Sequence, residues 1–366
     1  MKTPVTVNID TIEFSVRGER NSFSLPDTTI VTVVTPDGEI IDTYQNRARI
    51  AGKNSTHSLH VRVLHSGEQL YVEGSPYAFL YGQNVFTGTD IKEVVARSLE
   101  KILDHFRIQA TAEQRAQWDS GEVHLHRVDL VVNFLLESEA QCLAVLKQIK
   151  RQLVEQYGSM RACGTSVYWT PRNGREYSIG LYAKGPQMRH QMKRYAKPCR
   201  KDRLLDACRR ILRVEIRLRE PALARLNLQT TGNWEARSAQ KAFAQYMRRL
   251  RIFSITSGPL TQKDIDALPN RRFRPVLALH KSGADLSLVY SPSTLRRHQC
   301  DFRKMGIDLK CPNQAKKTVL PLTKILSPKR AIRNPPRWMT TEGLAPSRRE
   351  PHRTQQIRPI HLKLDR

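Results

Sequence analysis

Apolar residues recur at every second position through much of the first 75 residues, in TIEFSV, TIVTVV, LHVRVL and QLYVEG. Alternation of that period reads as half-buried β-strands. Pro36-Asp37-Gly38 and Ser66-Gly67-Glu68 fall between the runs and supply turn chemistry. After Thr89-Asp90, an N-cap signal, the spacing changes to three and four. Val94, Val95, Leu99, Ile102, Leu103 and Phe106 then predict a helix. Cys142, Leu143, Val145, Leu146, Ile149 and Leu153 predict a second, from about Glu137 to Tyr157. Strand-like runs return at His124 to Phe134, Thr165 to Trp169, Tyr177 to Lys184 and Ile211 to Leu218. A basic helix, QMRHQMKRYAK, is expected after Gly185-Pro186, and another helix up to about Arg251. Strands and helices alternate but hairpins dominate the start, which predicts an α+β fold built on a mainly antiparallel sheet with flanking helices.

Beyond this first domain, residues 1–250, the pattern predicts a small C-terminal domain over 251–312. Its expected helices are LTQKDIDALP and SPSTLRRHQCDFRKMG, separated by the strand-like VLALH and LSLVY. Composition changes again in the last segment, 313–366: from Ala315 onward there are 13 Lys+Arg, 3 Asp+Glu and seven prolines, which predicts a disordered basic tail. The whole chain of 366 residues carries 61 Lys+Arg against 34 Asp+Glu, a formal charge of +27, and so points to a polyanionic partner. Its six cysteines lack the spacing of a zinc knuckle or redox motif and read as reduced thiols of a cytoplasmic protein. The absence of a long apolar run excludes a spanning helix, and no membrane partner is expected.

Residues two apart on a strand share a face. In Arg127 to Val132, Val128, Leu130 and Val132 form a core face and leave Arg127 and Asp129 on the other. In Arg213 to Arg219, Val214, Ile216 and Leu218 alternate with charge, so Glu215 stands in a row with Arg213, Arg217 and Arg219. In Tyr177 to Lys184, Tyr182 and Lys184 share a face with Ser178 and Gly180. Alternation of this kind is ordinarily a solvated face, but three such strands together supply metal ligands, a nucleophile and phosphate binders.

At these residues the sequence resembles the replication initiators of filamentous phages and related plasmids, the II/X replication proteins. The resemblance rests on Val72-Glu73-Gly74-Ser75-Pro76, Gly82-Gln83-Asn84-Val85-Phe86 with Gly88-Thr89-Asp90, Arg127-Val128-Asp129, Val167-Tyr168-Trp169, Leu181-Tyr182-Ala183-Lys184 and Arg213-Val214-Glu215, in family order. Tyr290 to Leu309 is similar to the family's separate X-like module, so the likeness covers roughly residues 8 to 312. Gln83 departs from it, since family members can carry His there. The resemblance implies rolling-circle replication in the cytoplasm of a bacterial host: site-specific nicking of one strand of a supercoiled origin, a 5′-phosphotyrosine intermediate, a 3′-OH primer, and later rejoining. It implies Tyr182 as nucleophile with Lys184 beside it, Asp129 and Glu215 as metal-binding carboxylates, and single-stranded DNA, a host helicase and a DNA polymerase as partners. Arg127, Arg213, Arg217, Asn84 and Ser75 are then expected at the DNA.

Phosphodiester transfer to a phenol needs an in-line nucleophile and compensation of phosphate charge. A phenol of pKa about 10 is only about 0.1% ionised at pH 7, so full ionisation corresponds to about 4 kcal/mol. A metal with Lys184 or Arg217 nearby could provide it, and oxygen ligands favour Mg²⁺ or Mn²⁺. His124-Leu125-His126 also invites assignment as the His-hydrophobic-His metal motif of the broader HUH nickases. On an unbroken strand, however, that pair shares the face of Val128 and Leu130, opposite Asp129, and only a bulge would reunite them. Tyr177 is the alternative nucleophile, on the other face from Tyr182. A tyrosine-recombinase reading of His124-Leu125-His126-Arg127 conflicts with the β-rich context. A non-enzymatic DNA-binding replication regulator would explain the charge but not the carboxylates.

Overall fold

The structure, a computed structural model, describes residues 5–53, 57–152, 158–171, 174–193, 201–250, 265–266, 268, 270–305, 307, 309 and 322–346. Ten strands make one sheet: β1 (Asn8–Arg17), β2 (Ile30–Val34), β3 (Ile40–Ala51), β4 (Ser58–Leu64), β5 (Gln69–Gly74), β6 (His124–Leu135), β7 (Gly158–Cys163), β8 (Ser166–Pro171), β9 (Tyr177–Ala183) and β10 (Ile211–Arg219). Their order is β2-β3-β4-β5-β1-β6-β10-β9-β8-β7, and every neighbouring pair is antiparallel. In each half the first strand pairs with the last, β1 with β5 and β6 with β10. The two first strands then pair at the centre of the sheet.

The apolar alternation explains which face is covered. Phe14, Val72, Leu125, Val128, Leu130, Val132, Leu181, Val214 and Ile216 form one buried cluster with residues of flanking helices. Such side chains contribute about 1.5–3 kcal/mol each on full burial. Between β5 and β6 lie α1 (Pro76–Tyr81), α2 (Ile91–Phe106) and α3 (Ala112–Ser120). The Asp90 side chain caps α2 by accepting from the Glu93 amide, and the face of Val94, Leu99 and Ile102 is buried. Removing such a cap costs about 1 kcal/mol. Helix α4 (Glu139–Gln152) contributes Cys142, Val145 and Ile149 to the same core. Helices α5 (Lys184–Met192) and α6 (Lys201–Arg209) separate β9 from β10, which α7 (Glu220–Arg225) and α8 (Ser238–Met247) follow.

Three expectations change. Lys184 does not extend β9 but opens α5: Ala183 is the N-cap, and Gly185-Pro186 lies in the first helical turn instead of preceding the helix. The rest of the expected basic helix, 194–200, lies outside the described residues, as do Cys199, Cys311 and most of LTQKDIDALP. Among the described residues Cys142, Cys163, Cys208 and Cys300 are free. VLALH is not a strand but part of α9 (Phe273–Ser282), with Val276, Leu277 and His280 buried at helical spacing and Gly283 in the left-handed conformation at its end. LSLVY contains a 3-10 turn at Leu286–Leu288, since runs of five residues cannot distinguish the two periods. Helix α10 (Pro292–Lys304) matches its expectation, and it packs with α9 around Phe302 in a separate cluster.

The third change concerns the tail. Residues 322–346 are folded onto the sheet domain, with short helices α11 (Leu322–Ile325) and α12 (Arg337–Thr341). The Leu135 amide donates to Arg330 O (2.8 Å) and the Ile332 amide to Asn133 O (2.8 Å), so this stretch follows the end of β6. Leu322, Ile325, Leu326 and Ala331 enter the main core, and Met339, Leu344 and Ala345 a second cluster with Val85, Phe86, Met188 and Met192. Apolar anchors spaced among lysines, arginines and prolines are invisible to a count of composition. Residues 347–366 lie outside the described ones. No helix among the described residues is long and apolar enough to cross a membrane.

Candidate active site

The polar face of the central strands carries a connected row of charge, most of it closed off from solvent: Tyr182 is 3% and Asp129 1% exposed. At its centre the Tyr182 hydroxyl donates to Glu215 Oε2 at 2.8 Å. Gly180 lies directly opposite Glu215 on β9, and the Tyr168 ring packs over it, 3.1 Å from where a Cβ would stand. Burial, then the neighbouring Glu215 carboxylate, pushes the Tyr182 hydroxyl well above its ordinary pKa. Burial, then the charges of Asp129 and Asp10, pushes Glu215 up to about 7. A proton acceptor poised near neutrality thus touches a phenol that is fully protonated there. Burial thus outweighs the lowering effect of the neighbouring Arg213 guanidinium.

Beneath Tyr182 lies Arg213, wholly buried. Its Nε donates to Asn133 Oδ1 (2.8 Å), Nη1 to Asp10 Oδ2 (2.9 Å), and Nη2 to the carbonyls of Asn84 (2.6 Å) and Val85 (2.7 Å). Lys184, also fully buried, stands 5.8 Å from the Tyr182 ring centroid and donates to Asn84 Oδ1 at 3.0 Å. Burial, then Arg213, lowers its pKa to about 7. Arg213, expected at the DNA, is instead wholly buried, with Asp10 and Asn133 completing a buried polar network, while Asn84 beside it is half-buried. Ser75 donates to Asp10 Oδ1 (2.9 Å) and lines a cavity of about 250 Å³ with Arg49, His57, Ser58 and His60.

On the other side of Glu215, Asp129 is held bidentately by Arg127 (2.8 and 2.6 Å) and more loosely by Arg217 (3.2–3.4 Å). Arg127 also donates to Glu13, which accepts from the Tyr71 hydroxyl at 2.9 Å. Arg217 is one third exposed and lies 3.8 Å from Glu215.

The histidine pair is where strand-face reasoning needs correction. Glu13 pairs with Arg127 and Phe14 with Leu125, so His126 is an extra residue in β6, a bulge. A bulge lets consecutive residues share a face. His126 Nε2 reaches Ser15 Oγ at 2.9 Å while Leu125 and Val128 stay in the core, so His124, His126, Arg127 and Asp129 line the same side. Glu220, at the start of α7, closes the group: its carboxylate is 3.0 Å from His124 Nε2 and 3.6 Å from His126 Nδ1. One ligand atom from each of the three lies within 4.8 Å of the others, the one such trio among the described residues. Glu220 follows Glu215 by five residues, and Arg219, which ends β10, is the N-cap of α7.

Tyr177 is buried against Trp169 and Tyr246, on the core side, away from Tyr182. Sequence reasoning passed over Asp10, Glu13, Asn133 and Glu220. The available signal was a polar residue inside an apolar run for the first three, and for Glu220 an acid immediately after the charged row of β10.

Residues 9–237 match the N-terminal model of the replication-associated protein family of phage gene II. The chain is similar to the replication-associated gene II protein of Enterobacteria phage I2-2, 26% identical over 310 residues that span 82% of this chain and 89% of the phage protein. Its backbone was also matched to a solved structure of a rolling circle replication initiator protein from Geobacillus stearothermophilus, with 11% identity, a TM-score of 0.29, and coverage of 66% of this chain and 80% of that one.

Proposed function

From membership of the gene II replication-associated protein family, to which this chain belongs, we propose that it initiates rolling-circle DNA replication by metal-dependent, site-specific nicking and rejoining of an origin strand through Tyr182. The observation that carries the proposal is the 2.8 Å hydrogen bond from Tyr182 to Glu215 on the polar face of the sheet. A regulator that only bound DNA would need no phenol paired with a base poised near 7.

In this reading Tyr182 Oη attacks the phosphorus and its proton passes to Glu215 Oε2. The P–O3′ bond breaks, and the 3′ oxygen takes up a proton to become the 3′-OH that a host polymerase extends. The 5′ side remains as a phosphotyrosine until that 3′-OH, or another, attacks to rejoin the strand. Because the phenol has no standing ionised fraction, deprotonation must accompany attack, which is the work of a general base. Arg217, the exposed cation beside Glu215, offers charge to the phosphate oxygens. Buried Arg213 and Lys184 act through position and field. A host helicase would separate the strands behind the nick.

Glu215 and Asp129 are the donors within reach of the tyrosine, and crowding of Asp129, Asp10 and Glu215 is what a divalent cation would relieve. The oxygen set suits Mg²⁺ or Mn²⁺, which would neutralise phosphate charge when bound. Asp129 would join by exchanging its longer contacts with Arg217. The convergence of His124, His126 and Glu220 favours a second location, and the nitrogen donors there suit Mn²⁺ or Zn²⁺.

Incubation with supercoiled DNA carrying the cognate origin and Mg²⁺, followed by peptide mapping of the DNA-linked fragment, tests the proposal. The label is expected on Tyr182 and is absent in Tyr182→Phe, while Tyr177→Phe keeps it. A label on any other tyrosine overturns it.

A further inference from the structure

Gln83 lies in the loop between α1 and α2 and is only 2% exposed. Both ends of its amide are engaged. Oε1 accepts from the amides of Val85 (2.6 Å) and Phe86 (2.9 Å), and Nε2 donates to Phe86 O (2.9 Å) and Leu344 O (2.7 Å). Three of these bonds close the loop on itself. The fourth ties it to a residue 261 positions further along the chain.

The other side of the same loop faces the tyrosine. Its Asn84 and Val85 carbonyls take Arg213, and the Asn84 side chain takes Lys184. Val85 O also accepts from Asn133 Nδ2 at 2.7 Å. The C-terminal segment backs this arrangement with apolar contacts: Met339, Leu344 and Ala345 pack with Val85 and Phe86 and with Met188 and Met192 of α5, the helix that Lys184 begins. Lys53 Nζ adds a bond to Gly343 O at 2.9 Å.

We propose that Gln83 is a positioning residue through which the C-terminal segment 337–346 sets the loop that holds Lys184 and Arg213 against Tyr182. The segment is then part of the nicking centre, although it lies beyond the family match at residues 9–237. The inference rests on Tyr182 as nucleophile. Its physical basis is that a loop with two amides and one carbonyl committed to a buried side chain, which also holds Leu344 O, has no water to substitute for it. A shift of about 1 Å in the cations it holds is enough to lower the rate of an aligned displacement.

The test is the single-turnover nicking rate on saturating supercoiled origin DNA with Mg²⁺, alongside DNA affinity. Gln83→Ala is expected to slow nicking by about tenfold or more with affinity unchanged. Gln83→Glu keeps the acceptor and loses both donors, so it should be slow as well. Gln83→His, whose imidazole offers one acceptor and one donor, should recover most of the rate. A chain ending at residue 346 should nick at the full rate, and one ending at 336 should be slow. Equal rates for Gln83→Ala and wild type, equal rates for the two truncated chains, or a loss of affinity that accounts for the loss of rate would each overturn the coupling. The Tyr182 reading fails separately, if the wild type forms its adduct elsewhere, and takes this inference with it.

Discussion

Glu215→Gln tests the centre through stability as well as activity. The carboxyl is raised from 4.5 to about 7, so between those values the folded chain holds a proton that the unfolded chain has released. Stability on this account falls as pH rises through the window, and the ionised carboxylate costs the fold about 3 kcal/mol above pH 7. Other groups act over neighbouring ranges. Buried His57, lowered to about 4, adds stability as pH rises from 4 to 6.5. Lys184, lowered to about 7, does so from 7 to 10.5. The His57 contribution cancels in the difference between variant and wild type, whereas Lys184 feels the Glu215 charge, so the comparison is made at and below pH 7. Urea denaturation at several pH values should therefore find the stability of Glu215→Gln rising against that of wild type by about 3 kcal/mol between pH 4.5 and pH 7. The same variant should lose nicking. A stability difference that does not change with pH, or a Glu215→Gln protein that nicks like wild type, would refute this account of the site.

Arg213→Met should destabilise by about 3–5 kcal/mol in urea denaturation, because Asp10 is left buried without its cation; a loss of DNA affinity with unchanged stability would show that Arg213 faces DNA after all. His124→Ala/His126→Ala should abolish Zn²⁺ or Mn²⁺ binding at the trio, measured by calorimetry, yet retain Mg²⁺-dependent nicking; loss of nicking would move the catalytic ion to the histidines. Deleting 347–366 should flatten the salt dependence of DNA binding through lost counterion release without changing the nick position, and a displaced nick would mean that these residues read sequence.

The strands other than β3 and β7, the helices α2 and α4, and the separation of a core side from a charged side were legible in the chain, because alternation and three-four spacing are local consequences of which side chains face water. So was the placing of Tyr182 and Glu215 each on the polar face of its own strand, though their contact depends on how β9 pairs with β10. Three things were not local. The bulge at His126 depends on how β6 pairs with β1, and it alone turns the histidine pair toward Asp129 and Glu220. The burial of Arg213 and Lys184 depends on Asp10, Asn84 and Asn133 arriving from three other elements, so a row of charge that reads as a DNA-facing surface becomes an internal network. The folding of 322–346 depends on an apolar surface formed by the GQNVF loop and α5, for which a tail rich in lysine, arginine and proline gives no local signal. Periodicity reports which face of an element is dry; what meets that face, and which charges are closed off from solvent by meeting it, is settled only when distant segments pack.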